Sequence, residues 1–288
     1  MNVRSAIETY RYWNRQTSIC AEQASSIDVA PTMAELRRMR CDADYLIGGL
    51  MHQGIAVVDG YWPAEKCAAA RAEIDRLLAA YPQAVHHSSG GSDKRMFGVE
   101  SVSKLLAEFH DDPFLSGVGE MNSGLKLYNF ATLGARIDAT PENSGSGDGW
   151  HRDAHGSQFK SILYLSDVAE ENGPFEYLPG SHKSWRVVLD TALGDLPAAP
   201  NTRYEPAAID RLSGRFHVKR CQYAAKAGSL LLVNTAGIHR GMPLMAGSRY
   251  ALTNYLYHPF QIDLDRVRKF PTLIPGTADR IIADLRLA

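Results

Sequence analysis

The sequence predicts a mainly β protein with flanking helices. Short runs rich in β-branched and aromatic residues, such as 160–168 and 249–257, are bounded by turn residues and are typical of strands. Helical spacing of apolar residues is concentrated before and after this series, most clearly at 63–80. A content of 45% hydrophobic and 22% charged residues is that of a globular chain able to bury a large core.

The elements follow one another in a simple order. Residues 1–30 are polar, and we expect them to be loosely ordered, whereas 33–51 has helical spacing. A helix that begins near Pro63 is followed by a polar loop at 83–98, and a short helix ends the chain at 278–287. A further helix is predicted at 101–110. The predicted strands are 55–58, 125–131, 160–168, 174–178, 185–189, 216–219, 228–235 and 249–257.

The segment 149–153 has the spacing of a metal site. His151 and Asp153 are two residues apart in a predicted strand, so their side chains point to the same face. The third ligand must come from elsewhere in the fold, and His239 is the candidate. Two histidines and one carboxylate on one face of a metal leave the other positions open, which suits non-haem Fe(II).

The His-x-Asp spacing alone has low specificity, because a second pair occurs at His110 and Asp112. That pair ends a helical run and leads into Pro113, which is typical of a helix end followed by a turn. We interpret His155 as part of a pocket wall, since a third ligand beside Asp153 on one short strand is hard to arrange facially.

Further motifs follow in a fixed order. The turn Glu171-Asn-Gly-Pro174 leads to Leu178-Pro-Gly-Ser-His182, and His239-Arg-Gly241 comes shortly before Arg249. Together with Trp150-His-x-Asp153, this combination resembles the phytanoyl-CoA dioxygenase (PhyH-like) family of Fe(II)/2-oxoglutarate-dependent oxygenases. The order and spacing of these motifs are much more specific than any one of them.

The resemblance covers roughly residues 50–260 and implies a double-stranded β-helix, a jelly-roll or cupin-type barrel with the metal inside its mouth. It implies that His151, Asp153 and His239 bind the iron, and that Arg249 pairs with the distal carboxylate of 2-oxoglutarate. The chemistry of arginine supports this last role, because a guanidinium matches a carboxylate bidentately and stays charged when it is buried.

Two positions depart from a pattern found in some relatives. Those relatives carry Gln two residues before the first ligand and Thr just after the Asn-Gly turn, where this chain has Gly149 and Phe175. Lys160 and Asn129 are polar residues within or at the edge of apolar strands, so they are candidate co-substrate contacts. For each of them the alternative is an ordinary strand-end or satisfied core polar group.

The resemblance also implies a reaction. Fe(II), 2-oxoglutarate and O₂ would oxidise a C–H bond of a small-molecule metabolite, with release of succinate and CO₂. Because Asp153 fills the position that a halogenase leaves for halide, hydroxylation or a related oxidation is predicted. Two alternatives stay open: a cupin-type metal enzyme that does not use 2-oxoglutarate, and a non-catalytic barrel that acts as a binding protein. Arg249 argues against the first, and the intact ligand set argues against the second.

Charge and composition disfavour several partners and locations. A net charge of −1, from 31 basic and 32 acidic residues, gives no global field that favours nucleic acid or an anionic membrane. No apolar run approaches the ~20 residues that span a bilayer, and the N-terminus lacks the apolar region of a signal peptide. The 4 cysteines have no paired spacing, which predicts reduced thiols in a cytoplasmic protein.

The predicted organisation has three parts. An N-terminal helical extension (1–50) precedes the double-stranded β-helix domain (51–260), and a C-terminal tail and helix (261–288) pack on the barrel. Two polar segments, near 83–98 and 190–214, interrupt the strand pattern. Because loops tolerate change while strands hold the chemistry, we expect both segments to form a lid over the iron and to contact the substrate.

Overall fold

The strands form two antiparallel sheets. The computed structural model describes residues 3–87, 91–141, 143–154, 156, 158–193 and 202–287. Within these ranges the strands are β1 (Ile55–Val58), β2 (His86–His87), β3 (Asp93–Phe97), β4 (Tyr128–Asp138), β5 (Phe159–Tyr164), β6 (Phe175–Tyr177), β7 (Cys221–Tyr223), β8 (Leu230–Asn234), β9 (His239–Gly241) and β10 (Ser248–Tyr257). The larger sheet has the order β1-β8-β5-β10-β4-β3-β2 and the smaller one β7-β6-β9, as expected for a double-stranded β-helix.

Aromatic and aliphatic side chains hold the two sheets together. Phe175 and Tyr177 of β6 in the smaller sheet belong to one buried cluster with Tyr164, Leu231 and Val233 of the larger sheet. Burying a large apolar side chain contributes about 1.5–3 kcal/mol, so this cluster fixes how the sheets face each other.

The helices flank these sheets. They are α1 (Val3–Gln23), α2 (Ala30–Arg38), α3 (Ala43–Gly48), α4 (Ala64–Ala80), α5 (Lys104–His110), α6 (Pro113–Ser123), α7 (Ser184–Leu193), α8 (Pro206–Phe216), α9 (Leu264–Arg268) and α10 (Thr277–Leu287). The main core lies between α4–α6 and the outer face of the larger sheet, where Ile74, Leu77 and Phe109 pack in one cluster with Leu163 and Leu252. In the described part of the chain, no helix is long and apolar enough to cross a membrane.

Alternation along β10 divides its side chains between the two faces of the larger sheet. Leu252 belongs to the main core, whereas Arg249, Ala251, Thr253 and Tyr255 line a cavity between the sheets. Alternation along the strand thus places Arg249 in the interior of the barrel.

The first thirty residues are more regular than predicted. Val3–Gln23 is helical and contacts α7, and its polar residues Thr9 and Gln16 are buried. The expectation of loose order was therefore wrong, because it was drawn from polarity and these polar side chains have contacts within the fold. Helices α2 and α3 lie where helical spacing was predicted.

Two predicted short strands were wrong. Residues 185–189 lie inside α7, whose buried residues Val187, Asp190 and Thr191 follow helical spacing. Phe216 ends α8, and the next strand begins only at Cys221. Val187 and Val188 are β-branched and favour a strand locally, but the burial of one face of this segment stabilises the helix.

The two predicted lid segments contain regular structure. Within 83–98, β3 pairs with β4, so this part is an edge of the larger sheet and not a loop. Within 190–214, α7 continues to Leu193 and α8 begins at Pro206. Residues 88–90 and 194–201 of these segments lie outside the described residues.

Candidate active site

His151, Asp153 and His239 converge at the mouth between the sheets. The backbone amides of His151 and His239 each donate to the other's carbonyl at 2.9 Å, so an isolated antiparallel bridge joins the segment 149–153, which was predicted as a strand, to β9. The amide of Asp153 donates to the Thr235 carbonyl at 3.1 Å. One ligand atom of each of the three side chains lies within 4.8 Å of the others. These backbone hydrogen bonds therefore bring His239 beside His151 and Asp153, which lie far from it in sequence.

The hydrogen bonds of both imidazoles leave one nitrogen free for a metal. Nδ1 of His151 lies 2.8 Å from the Gly149 carbonyl, and Nδ1 of His239 lies 2.9 Å from the Gly237 carbonyl. Because a carbonyl only accepts, each Nδ1 carries the hydrogen and each Nε2 presents its lone pair. Both Nε2 atoms lie 3.6 Å from a carboxylate oxygen of Asp153. This donor set fits Fe(II).

The local charges keep these groups in their metal-binding protonation states. Burial lowers the pKa of His239 to about 3, and the neighbouring His151 adds to this shift, so His239 is neutral at neutral pH. Burial alone would raise the pKa of Asp153, but Lys160 and the two imidazoles hold it well below its usual range. Neither group has to lose a proton before it binds a cation near pH 7.

The cavity behind the candidate ligands has a volume of about 320 Å³, and Arg249 lines it. Arg249 is only 5% exposed. His239 and Gly241 are two residues apart in β9, so they lie about 7 Å apart along the strand, and both line this cavity. A Cβ atom at Gly241 would lie 2.9 Å from Nη2 of Arg249, so glycine leaves room beside the guanidinium. This spacing suits a short dicarboxylate that reaches from the metal to Arg249.

Lys160 lies in the same cavity but already has a partner. Its Nζ lies 2.6 Å from Oδ2 of Asp153 and 4.3 Å from the ring centroid of Tyr255. The structure therefore places Lys160 against a candidate metal ligand. A contact with 2-oxoglutarate stays a prediction for this residue.

Asn129 lies away from this cavity. Its side-chain amide donates to the His110 carbonyl at 2.9 Å, and it lines a different pocket. A bulge between Asn254 and Leu256 shifts the register, so that Asn129 pairs with Leu256, which is part of the main core. The bulge thus reverses the face on which Asn129 lies, and this placement does not fit its predicted co-substrate contact.

The two positions that depart from the pattern of relatives lie next to the histidines. The Phe175 ring stacks on His239, with centroids 5.3 Å apart and an interplanar angle of 26°. Gly149 has a positive φ of 88° and supplies the carbonyl that fixes His151. Both residues hold an imidazole in place, and neither offers a side-chain hydrogen bond to a co-substrate.

Sequence reasoning missed Arg152, which lies between two candidate ligands and points to the opposite side. Its side chain is fully buried, and its Nη2 lies 3.2 Å from Asp190. The guanidinium also donates to the Ser181 carbonyl at 2.6 Å and to the Tyr204 hydroxyl at 2.9 Å. These contacts hold the 151–153 segment, which carries two of the candidate ligands, in place. The only sequence signal for these contacts was a charged residue between two inward-facing side chains.

Arg152→Met should therefore destabilise the fold by up to about 3–5 kcal/mol, because it removes one of the two arginines that pair with the buried Asp190; the other, Arg186, lies 3.1 Å from this carboxylate. It should also weaken Fe(II) binding, since the 151–153 segment loses its anchor. Urea unfolding of the metal-free chain and an Fe(II) titration measure the two effects. Arg38→Met, which breaks an exposed pair with Glu35, is the control and should barely move either measurement. Equal stability of the two variants would contradict the anchoring role.

Comparison with known proteins identifies the family. The sequence model of phytanoyl-CoA dioxygenase (PhyH) matches residues 50–247. The chain belongs to this family. It is an Fe(II)- and 2-oxoglutarate-dependent oxygenase that acts on a small molecule. The family, the fold class and the cofactors predicted from the sequence are confirmed, and the two alternative classes are disfavoured.

Curated relatives support this assignment, and a solved structure has the same fold. The chain is 22% identical over 228 residues to L-proline trans-4-hydroxylase of Streptomyces griseoviridis, covering 69% of this chain and 83% of the relative. It is 24% identical over 262 residues to ectoine dioxygenase of Stutzerimonas stutzeri (strain A1501), covering 81% and 79%. The epimerase SnoN, solved with Fe³⁺, alpha ketoglutarate and nogalamycin RO, aligns with a TM-score of 0.59 and 22% identity over 85% of this chain and 91% of its own. This structural likeness shows a shared fold.

Proposed function

We propose that this chain hydroxylates a C–H bond of a small-molecule metabolite, with His151, Asp153 and His239 as its iron ligands. Arg249 would anchor the distal carboxylate of 2-oxoglutarate. The observation that carries the proposal is the placement of a buried guanidinium and the three candidate ligands around one cavity.

The surroundings of Arg249 support its role. Within the described ranges, no carboxylate lies within ion-pair distance of its guanidinium, and the nearby Asp93 pairs with Arg95 at 3.1 Å. An isolated buried charge is unfavourable, so an arginine in this position is expected to bind an anion. A dicarboxylate that binds the metal at one end supplies that anion at the other.

Each residue of the cavity has a defined part in this reaction. When bound, iron and 2-oxoglutarate would supply the oxidising chemistry together with O₂, of which one oxygen atom enters the C–H bond and the other enters succinate as CO₂ is released. His151, Asp153 and His239 would hold the metal, and Lys160 fixes one oxygen of Asp153. Phe175 is buried against His239 and keeps water from that side of the ligand set.

The names of the relatives support hydroxylation of a small molecule. One is a hydroxylase of L-proline and another is an ectoine dioxygenase, whereas SnoN is an epimerase. For this chain we propose hydroxylation or a related C–H oxidation, and Asp153 argues against halogenation because it fills the position that a halogenase leaves for halide.

We also propose that the segments near 83–98 and 190–214 cover the candidate metal site, and that the chain is organised in three parts. Arg95 from 83–98 and Thr202 and Arg203 from 190–214 line the cavity of the candidate ligands, which supports a contact of both segments with the substrate; Arg95 would make it from β3, as a fixed wall of the cavity. The extension (1–50) and the tail (261–288) both contact the barrel domain (51–260); for example, the Tyr128 hydroxyl donates to Asp284 of α10 at 2.7 Å. A cytoplasmic location is supported by four unpaired cysteines.

A metabolite screen tests the reaction. The iron-loaded chain with 2-oxoglutarate and O₂ should release succinate at a low rate alone, and about tenfold faster or more with its substrate, because coupled turnover then proceeds. Succinate is quantified together with the mass gain of one oxygen atom in the product. His239→Ala is the matched control and should show neither. Succinate release that does not need iron, or a product without the added oxygen, would contradict the proposal.

A further inference from the structure

A second, larger cavity borders the candidate metal centre. Its volume is about 740 Å³, against about 320 Å³ for the cavity that Arg249 lines. Asp153 and Tyr255 line both cavities, so the second one opens beside the candidate metal ligands. Binding pockets for small molecules typically measure roughly 300–1,000 Å³. We call this second space the aromatic cavity.

The walls of the aromatic cavity are rich in rings. They include Tyr12, Phe97, Phe130, Tyr255, Tyr257 and Phe270. Phe97 contacts both Tyr255 and Phe270, with ring centroids 5.2 Å and 5.0 Å apart, and Phe130 lies 6.0 Å from Tyr257. Such a surface favours a flat ligand, because aromatic faces and edges pack best against another ring.

The polar groups of the aromatic cavity are mainly donors. The Tyr12 hydroxyl accepts from Gln261 at 2.7 Å and the Tyr257 hydroxyl accepts from Gln158 at 2.8 Å, so each keeps its own hydrogen to donate. Of the two carboxylates that line this cavity, Asp153 is paired with Lys160, and Asp263 accepts from backbone amides at the start of α9.

Two arginines lie at the exposed edge of the aromatic cavity. The guanidinium of Arg15 lies 5.2 Å from the Phe260 ring centroid, and Arg266 projects from α9. In the part of the chain that the structure describes, neither guanidinium forms an ion pair with a carboxylate. Both are therefore available to an acidic group on a bound ligand.

Part of this cavity is built by the N-terminal helix. A Cβ atom at Gly156 would lie 1.7 Å from the Tyr12 ring, so α1 packs directly on the segment that follows Asp153. The hydrogen bond between Tyr12 and Gln261 joins α1 to the C-terminal segment over the same space. Segments outside the central barrel thus close the aromatic cavity.

We propose that the aromatic cavity is the substrate site and that the substrate is a flat, largely apolar ring compound with an acidic group. The ring body would lie among the aromatic walls beside Asp153, and the acid would lie toward Arg15 and Arg266. This inference rests on the proposed function, because the metal centre must be the oxidising site.

Binding of two matched probes tests the inference without turnover. Isothermal titration of the metal-free full chain with 2-naphthoate and 2-naphthamide should show about fivefold tighter binding of the anion at low salt. Arg15→Gln/Arg266→Gln should remove this preference, and both substitutions are at exposed positions, so the fold is retained. Equal affinities of the wild-type chain for 2-naphthamide and 2-naphthoate would overturn the proposal that the substrate carries an acidic group.

Variants of one helix test the location. Tyr12→Ala and Tyr12→Leu should each weaken both probes about tenfold, since they remove a stacking surface. Tyr10→Ala changes a ring that is 60% exposed on the same helix, and it should bind as wild type does. Unchanged probe affinity in both Tyr12 variants, or tighter binding of L-proline than of 2-naphthoate, would overturn the proposal. A separate 2-oxoglutarate titration of the iron-loaded chain distinguishes the two hypotheses. Absence of 2-oxoglutarate binding would overturn the proposed function, whereas the probe affinities would still show whether the aromatic cavity binds a ring compound with an acidic group.

Discussion

Alanine at His151, Asp153 or His239 should abolish tight Fe(II) binding and turnover while leaving the fold largely intact. Loss of a partner that only orients a ligand already lowers metal affinity about 10–100-fold, so loss of a ligand should exceed ~100-fold. The fold should persist because the main core lies on the outer face of the larger sheet, away from the mouth. Anaerobic Fe(II) titration and thermal unfolding measure the two quantities.

Histidines outside the ligand set are the controls for this experiment. His110→Ala should keep the metal, because Nδ1 of His110 lies 2.9 Å from the Thr132 hydroxyl and its ring lines a different pocket. His155→Ala is also predicted to keep it, although His155 lies outside the described residues. A variant at one of the three ligand positions that retains full iron affinity would remove that residue from the set.

The convergence of the candidate metal ligands could be predicted from the sequence because part of their geometry is local. Two residues that are two apart in extended backbone share a face. The strand predicted at 149–153 is present only as an isolated bridge at His151, but His151 and Asp153 still converge as their spacing predicted. The same alternation places Arg249 in the cavity, since β10 has a regular register from Ser248 to Asn254. Only the pairing with His239 needed the motif order of a family.

Features that depend on distant contacts could not be predicted in this way. Asn129 is on the opposite side of a bulge from Arg249, so counting residues gives the wrong face. Arginine is usually a surface residue, but Arg152 is buried because its guanidinium pairs with Asp190. Tyr12 contacts Gly156 and Gln261 through a helix whose polarity suggested disorder. In each case, a partner far along the chain decides the role of the residue.

Arg249→Ala should lower the apparent affinity for 2-oxoglutarate by roughly two to three orders of magnitude. The substitution leaves a buried carboxylate of the co-substrate unpaired, which costs about 3–5 kcal/mol, and ~1.4 kcal/mol corresponds to one factor of ten. Fe(II) affinity should barely change, because a guanidinium cannot bind a cation. A 2-oxoglutarate titration with saturating iron measures the effect, and an Fe(II) titration checks the metal site.

Arg249→Lys tests whether 2-oxoglutarate binding needs the two parallel hydrogen bonds of a guanidinium or only its positive charge. Arg249→Lys should recover only part of the lost affinity, since an ammonium cannot bind a carboxylate through two parallel hydrogen bonds. Arg240→Ala is the matched control: this arginine is a neighbour of His239 in β9, but it pairs with Glu176 at 2.7 Å and does not line the cavity. Unchanged affinity in Arg249→Ala would overturn its assignment and make Lys160 the next candidate for the carboxylate. Absence of 2-oxoglutarate binding in the wild-type chain would overturn the proposed function itself, because every residue role derived from this cavity assumes a dicarboxylate between the metal and Arg249.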